Sequence, residues 1–382
     1  MKKHLLILLI LLYSGDACIG QIQDNTHNLL SENNEISNIV KEIIKQNLVN
    51  KQFIFLGESF HKSGSDLVYK TKFVKYLVEE LGFQNIAFES DFYGLYLDKN
   101  PRNIYWTWYG ANQCIELFDF IKEKNIDIWG IDSQLHSNYS KRNFQFELKE
   151  KLNELNITLT QSFISKTKYL VDYQFNAKEN ISNSELNSYL NELDQITQIV
   201  NTLDEPFLLQ SLKNLKSSAI IYMTEDIKVG MANRDRQMAD NLDFLSKQFP
   251  NKKFIVWAAN AHIAKTDSEY MGEATMGCEF LKANQNNSYH VAFASIKMPY
   301  RKLKKIEKQA EKKNCLLYYL PDRNNDYFID IEKAVKVNND LKNQEFLANL
   351  WSGPKKHLNT KWLEHFDAIV YIENGELATF RK

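Results

Sequence analysis

The chain is short of cysteine. Four of its 382 residues are cysteine, and one of them, Cys18, falls in the first twenty. The other three, Cys114, Cys278 and Cys315, leave room for a single bridge, which excludes a disulfide scaffold. No Cys-x-x-Cys pair occurs, so neither a zinc ribbon nor a thioredoxin-like redox site is indicated. The sequence also has no His-Glu-x-x-His, no phosphate-cradling glycine loop and no Gly-x-Ser-x-Gly elbow, and the last absence argues against a serine esterase of the α/β-hydrolase type. Net charge is nearly absent too, at -1, falling to -2 when Lys2, Lys3 and Asp16 are left out. Nothing in that balance points to nucleic acid or an acidic membrane surface as partner. Beyond the first twenty residues no run is long and apolar enough to span a bilayer.

What is present is globular composition, 44% hydrophobic and 25% charged, in a chain long enough for a large core. The start has its own pattern. Lys2 and Lys3 precede an unbroken apolar run from Leu5 to Leu12, followed by small and polar residues up to Gly20. This is the order of a secretory signal peptide, with Cys18 and Gly20 small enough for the positions before a cut and Gln21 as the mature start. The expectation is an exported protein, periplasmic or extracellular. Lipid attachment at Cys18 is the alternative, with Asp16 and the non-apolar Gly15 against it.

From residue 50 onward, short apolar runs alternate with amphipathic helices. Phe53–Leu56 leads into Gly57-Glu58. A helix over 66–81 carries Leu67, Val74, Leu77, Val78 and Leu81 on one face, with Ser65 or Asp66 as cap and Gly82 after it. Ile86-Ala87-Phe88 then ends in Glu89. A helix near 113–124 precedes Ile126–Ile131, and one near 235–248 precedes Phe254–Ala259. Further strand-like runs are His290–Ala294, Cys315–Leu320 and Ala368–Ile372. The spacing predicts an α/β protein with a mostly parallel sheet flanked by helices. Between Ile131 and Val229 there is no glycine, and Pro206 is the one proline. Leucines at helical spacing (Leu148, Leu152, Leu155; Leu186, Leu190, Leu193) mark about 137–230 as a helical insertion in a single domain spanning 21–382. The basic run Arg301–Lys313 reads as a solvated helix or loop.

Ligands of such sheets bind at the carboxyl ends of the strands, and the notable polar residues cluster there. Glu58 and His61 are three apart, a spacing that lets a carboxylate orient an imidazole as general base. Glu89 ends an apolar strand and must be paired or lie in a cleft. His262 follows another strand end, with Asn260 beside it. Arg234 and Arg236, placed before a helix, offer a guanidinium for a carboxylate or a developing oxyanion. His136 and Asp132 share the same edge.

In order along the chain these segments resemble the erythromycin esterase family. Gly57-Glu58-x-x-His61 is similar to its Gly-Glu-x-x-His, and Glu89 stands 28 residues after His61, at the family's next glutamate. Trp106 to Asp132 looks like its Trp-rich segment leading to a strand ending Gly-x-Asp. Arg234-Asp235-x-x-Met238-x-x-Asn241 and Trp257–His262 resemble two further motifs, and Met276-Gly277 and Phe366-Asp367-Ala368 fit late landmarks. The resemblance implies a metal-independent hydrolase of an ester or lactone, without cofactor. It implies His61 as leading base, Glu58 and Glu89 as its partners, His262 as a second site histidine, and Arg234, Lys70 and Asn260 on the substrate. Two departures stand out. Ala259 occupies the place of the family's first histidine in His-Asn-x-His, and Lys70 that of an arginine nine residues after His61. Ala259 keeps open a non-catalytic small-molecule-binding protein, and Glu58, His61, Glu89 and His262 would also suit a transition-metal site.

Overall fold

The computed structural model describes residues 20–267, 274–301, 304–351 and 359–381. The expected leader, with Cys18, lies outside the described residues. Eight strands form one sheet: β1 (Thr26–Asn28), β2 (Phe53–Leu56), β3 (Asn85–Asp91), β4 (Asp127–Asp132), β5 (Phe254–Trp257), β6 (Ser288–Lys297), β7 (Tyr327–Asp330) and, after a separate pair made by β8 (Phe346–Leu347) and β9 (Asn359–Thr360), β10 (Ala368–Asn374). The order is β1-β7-β10-β6-β2-β5-β3-β4. Strands β10 through β4 are parallel, and β7 runs against both its neighbours. The return of β5 between β2 and β3 brings four strand ends, β2, β5, β3 and β4, side by side.

Period-two alternation assigns the two faces. Phe53, Phe55, Phe254, Val256, Ala87 and Trp129 point to one core, and Ile54, Leu56, Ile255, Trp257, Ile86 and Phe88 to the other. Burial on both faces explains why these strands read as continuous apolar runs. The second core is covered by α1 (Asn38–Asn47), α2 (Gly64–Leu81) and α3 (Ile115–Glu123). The helical insertion comprises α4 (Asn138–Glu154), α5 (Gln161–Asp172), α6 (Asn183–Val200) and α7 (Pro206–Met223), packed around a third apolar cluster of their own. Their starts follow local chemistry: Ser137 and Thr160 cap α4 and α5, Ser182 and Glu185 form a capping box on α6, and Pro206 opens α7. The first core is covered by α8 (Ile227–Gln248) and α9 (Met276–Ala283).

Three expectations change. The helix expected near 235–248 begins at Ile227, because Asp226 caps it by accepting from the Lys228 N–H at 2.8 Å and Gly230 is tolerated inside it. Arg234 and Arg236 therefore lie within α8, the first buried and the second half-exposed. The run Cys315–Leu320 is not a strand but a 3-10 turn over Leu316–Tyr319. Its residues are apolar because they are buried, and burial alone does not distinguish the two. Cys114, Cys278 and Cys315 are all free thiols.

One irregularity matters for the site. Phe88 pairs with Gly130 and Asp91 with Asp132, three steps along β3 against two along β4. The extra residue makes a bulge at Glu89-Ser90, a device that re-aims side chains at strand ends. A Cβ on residue 130 would lie 2.0 Å from the Asp91 carbonyl oxygen and 2.7 Å from that of Ser90, so the bulge fits only against glycine. Gly130→Ala is expected to destabilise the fold by about 2 kcal/mol or more, read as a lower denaturation midpoint with an unchanged slope.

Candidate active site

Two groups of side chains meet at the carboxyl ends of β2, β5, β3 and β4. The first centres on Glu58. Its carboxylate is fully buried and accepts from three donors: Trp108 Nε1 at 3.1 Å and His61 Nδ1 at 2.9 Å on Oε1, and Lys70 Nζ on Oε2. Residues 57–63 are a turn rather than the start of a helix, and α2 begins at Gly64. Asp66 does not cap α2. It accepts from the Ser59 N–H at 3.0 Å and the Ser59 hydroxyl at 2.8 Å, which pins the turn and holds Glu58 over His61. Burial lifts the Asp66 carboxyl to about 6.

Lys70 is wholly buried. Besides Glu58 it donates to the Ala258 carbonyl at 3.3 Å and lies 4.0 Å from the centre of the Trp257 ring. Burial pulls its pKa down against the charge of Glu58. The sequence expectation of Lys70 on the substrate is therefore replaced by a positioning role beneath Glu58. Breaking a buried pair of this kind costs about 3–5 kcal/mol, so Lys70 fixes Glu58 and through it His61.

The second group centres on Arg234. Its Nη2 donates to Glu89 Oε1 at 2.8 Å and to Asp132 Oδ2 at 2.7 Å, and its Nε lies 3.2 Å from both oxygens of Asp132. His262 Nε2 is 3.2 Å from Glu89 Oε1, and His262 Nδ1 is 2.8 Å from Asp235 Oδ1. Glu89 Oε2 accepts from the Ala259 N–H at 3.1 Å, tying β3 to β5. Burial works against each charge, yet opposite charges prevail. Glu89 is held well below the usual carboxylate range by His262 and Arg234, and His262 is lifted to about 10 by Asp235 and Glu89. Both carboxylates favour the protonated form of His262. Its Nε2 lies 3.3 Å from Arg234 Nη1 and 3.2 Å from Glu89 Oε1, so both side chains meet that carboxylate.

His61 is different. Its side chain is 43% exposed, whereas Glu58 and Lys70 are at 0%. Glu58 accepts the Nδ1 proton, which leaves Nε2 with the lone pair. Burial pushes its pKa down, but the hydrogen bond to Glu58 and the charges of Glu89 and Glu58 outweigh that and raise it.

The structure thus brings Glu58, His61 and Lys70 together, and separately Glu89, Arg234 and His262, with Ala259 at the end of the strand between them. Asn260 is in neither group. Its amide donates to the carbonyls of Phe293 and Leu350 at 2.9 and 2.8 Å and accepts from the Phe293 N–H at 3.3 Å, all out of solvent. It was expected on the substrate; it instead pins the β5 end to β6. Gly57 permits this, since a Cβ there would lie 2.0 Å from Asn260 Oδ1. Trp108 and Tyr105 join the site without having been singled out from sequence, and Asp235, read there only as part of a motif, joins it as the partner of His262 Nδ1. The Tyr105 hydroxyl donates to Gln134 Oε1 at 2.7 Å and lies 3.2 Å from Asp132. Among the described residues no three His, Cys, Asp or Glu side chains converge as metal ligands, because Glu58 and Glu89 already turn their oxygens to Lys70, Trp108, Arg234 and backbone.

The raised His262 pKa carries a stability signature. Since it moves from 6.5 to about 10 on folding, the ion-pair contribution is complete below pH 6.5 and drains away as pH rises through 10. His262→Gln should cost about 3 kcal/mol or more near pH 6 and progressively less toward pH 10, measured by denaturant unfolding at both ends.

Comparison with known proteins gives the family and the fold. The family model for erythromycin esterase matches residues 78–374. YbfO of Bacillus subtilis (strain 168), provisionally named a hydrolase, is 27% identical over 277 residues, 61% of each chain. The chain therefore spans about three fifths of that curated relative. Three solved structures share the fold: a Bacillus cereus protein (TM-score 0.76, 18% identity, 96% of this chain and 99% of that one), a succinoglycan biosynthesis protein (0.72, 18%, 96% and 98%) and a mutant of the erythromycin esterase EreC in its open conformation (0.65, 13%, 92% and 98%). With more than half of its length matched by the family model, this chain belongs to the erythromycin esterase family.

Proposed function

We propose that the protein is an exported hydrolase that cleaves an ester or lactone with a water activated by His61. The observation that carries this reading is the state of His61: half-exposed, with its proton held on Nδ1 by a carboxylate that is itself locked by Lys70 and Trp108. A neutral imidazole fixed in that tautomer presents Nε2 to water. Nε2 takes a proton as the water oxygen attacks the acyl carbon. The attack leaves a tetrahedral oxyanion on the former carbonyl oxygen. The C–O bond then breaks, and the imidazolium returns its proton to the leaving alkoxide. Glu89 reaches His61 through its charge and favours the imidazolium formed on the way. Family membership supports hydrolysis, and the basic, apolar leader supports an exogenous or envelope substrate.

Ala259 favours a second reading, a small-molecule-binding protein on the same scaffold. A panel of simple esters, lactones and macrolides separates the two. Turnover by the native protein, reduced about 100-fold or more in kcat by His61→Ala with the fold intact, supports the hydrolase. Retained turnover in His61→Ala, or none in the folded native protein, sinks it.

The pH profile supplies an independent check. His61 must be neutral to act, so kcat/KM should fall as pH drops through its raised pKa. Glu58→Gln removes the largest raising influence and should move that acid limb to lower pH, while lowering kcat through loss of orientation.

A further inference from the structure

His136 lies beside the site and takes no part in the chemistry above. It follows β4 by four residues, and its ring is stacked on Tyr105 with centroids 3.6 Å apart and planes 2° from parallel. Tyr105 lies edge-on to Trp108 (6.2 Å), and Trp108 edge-on to His61 (5.4 Å). Four rings therefore run in sequence from the general base to His136, across the ends of β2, β5, β3 and β4. The Tyr105 hydroxyl ties the far end of this row to Asp132, and through it to Arg234.

The tautomer of His136 is fixed by its surroundings. Nδ1 lies 3.0 Å from the Gln134 carbonyl oxygen, an acceptor only, so the proton resides on Nδ1. Nε2 is then a bare acceptor. It is shielded from solvent and has no hydrogen-bond partner among the described residues. Buried acceptors of this kind are rare without a partner. Burial and the neighbouring Arg234 also keep the ring from taking a second proton, although Asp91 and Asp132 pull the other way. The result is a neutral, oriented acceptor at the opposite end of a row of rings from the reacting group.

We infer that His136 Nε2 receives a hydroxyl of the bound ligand, so that the site selects esters or lactones carrying an alcohol several bonds from the acyl carbon. The kinetic consequence rests on the hydrolase reading; the binding consequence does not. A buried acceptor reached by a ligand discriminates strongly against the analogue without the donor, because the nitrogen is then left unpaired.

Two arms test this separately. In the first, 4-nitrophenyl esters of ω-hydroxyalkanoic acids with four to twelve carbons are compared with the unsubstituted esters. The hydroxylated series should show an optimum chain length with kcat/KM about tenfold above its partner. His136→Phe, which keeps the stacked ring, should abolish that preference while leaving the unsubstituted esters unchanged. His136→Gln, which retains an acceptor, should restore part of it. In the second arm, histidine-ring nitrogens are labelled and observed by NMR as 1,n-alkanediols or n-alkanols are added. Diols should shift the His136 Nε2 signal and alkanols of equal length should shift it less. If the protein turns over no ester, a diol-specific shift still upholds the inference while the hydrolase reading fails. If neither diols nor hydroxylated esters are distinguished from their partners, Nε2 is filled by water alone and the inference is overturned.

Discussion

The guanidinium of Arg234 is the charge on which the carboxyl edge of the sheet depends. Glu89, Asp132 and Asp235 are brought into an almost solvent-free space by the ends of β3 and β4 and by α8. Three buried carboxylates repel one another and lose hydration, and such a group forms only if cations enter with it. Arg234 supplies a planar fork that serves Glu89 and Asp132 together, a geometry lysine does not offer. His262 completes the compensation by staying protonated between Glu89 and Asp235. The group still holds one more carboxylate than cations. Of these charges Glu89 raises the pKa of His61 and His262 lowers it.

Much of this was legible in the sequence, and the limits of legibility follow from physics. Glu58, Glu89, His61 and His262 stand out because a polar residue ending an apolar run must have a purpose at a strand end. The sheet, its flanking helices and the helical insertion follow from the period of the apolar residues and from the lack of glycine between Ile131 and Val229. The roles of Lys70 and Asn260 were not legible. Both are polar, and polarity in sequence suggests access to a ligand, but both are out of solvent and bonded to the protein itself. Trp108 and Tyr105 were hidden for the opposite reason. An aromatic residue reads as core by default, and only the fold shows that its N–H or O–H meets Glu58 or Gln134. The bulge at Glu89 left no mark on β3 itself. Its trace was the glycine on the neighbouring strand, Gly130, whose missing side chain makes room for it.

Lysine in place of the family's arginine at position 70 fits the depth of the site. The pair it makes with Glu58 is sealed at 0% exposure for both side chains. A compact ammonium can meet one carboxylate oxygen, one carbonyl and one indole face in such a space. The other carboxylate oxygen is then free for Trp108 and His61. A fork binding both oxygens would compete with those two donors. Lysine therefore preserves the function of orienting His61 while losing bidentate geometry that this arrangement does not use.

Ala259 has the larger consequence. It lies two residues past β5, the strand between the Glu58 and Arg234 groups, and its backbone N–H is bound to Glu89. A histidine there would place a second titratable ring between the two groups; alanine leaves them coupled through charge alone. His262 does not stand in its place: it lies between Asp235 and Glu89, with Arg234 Nη1 3.3 Å from its Nε2. In the hydrolase we propose, base chemistry falls to His61, with the remaining charged residues as fixed electrostatics around it. The proposed hydrolase would work with one proton carrier, which must both take the proton from water and deliver it to the leaving group. Such a carrier performs best when the leaving alkoxide is close at hand. A substrate held at its far end, away from His61, would be kept in that register without any further acid on the protein.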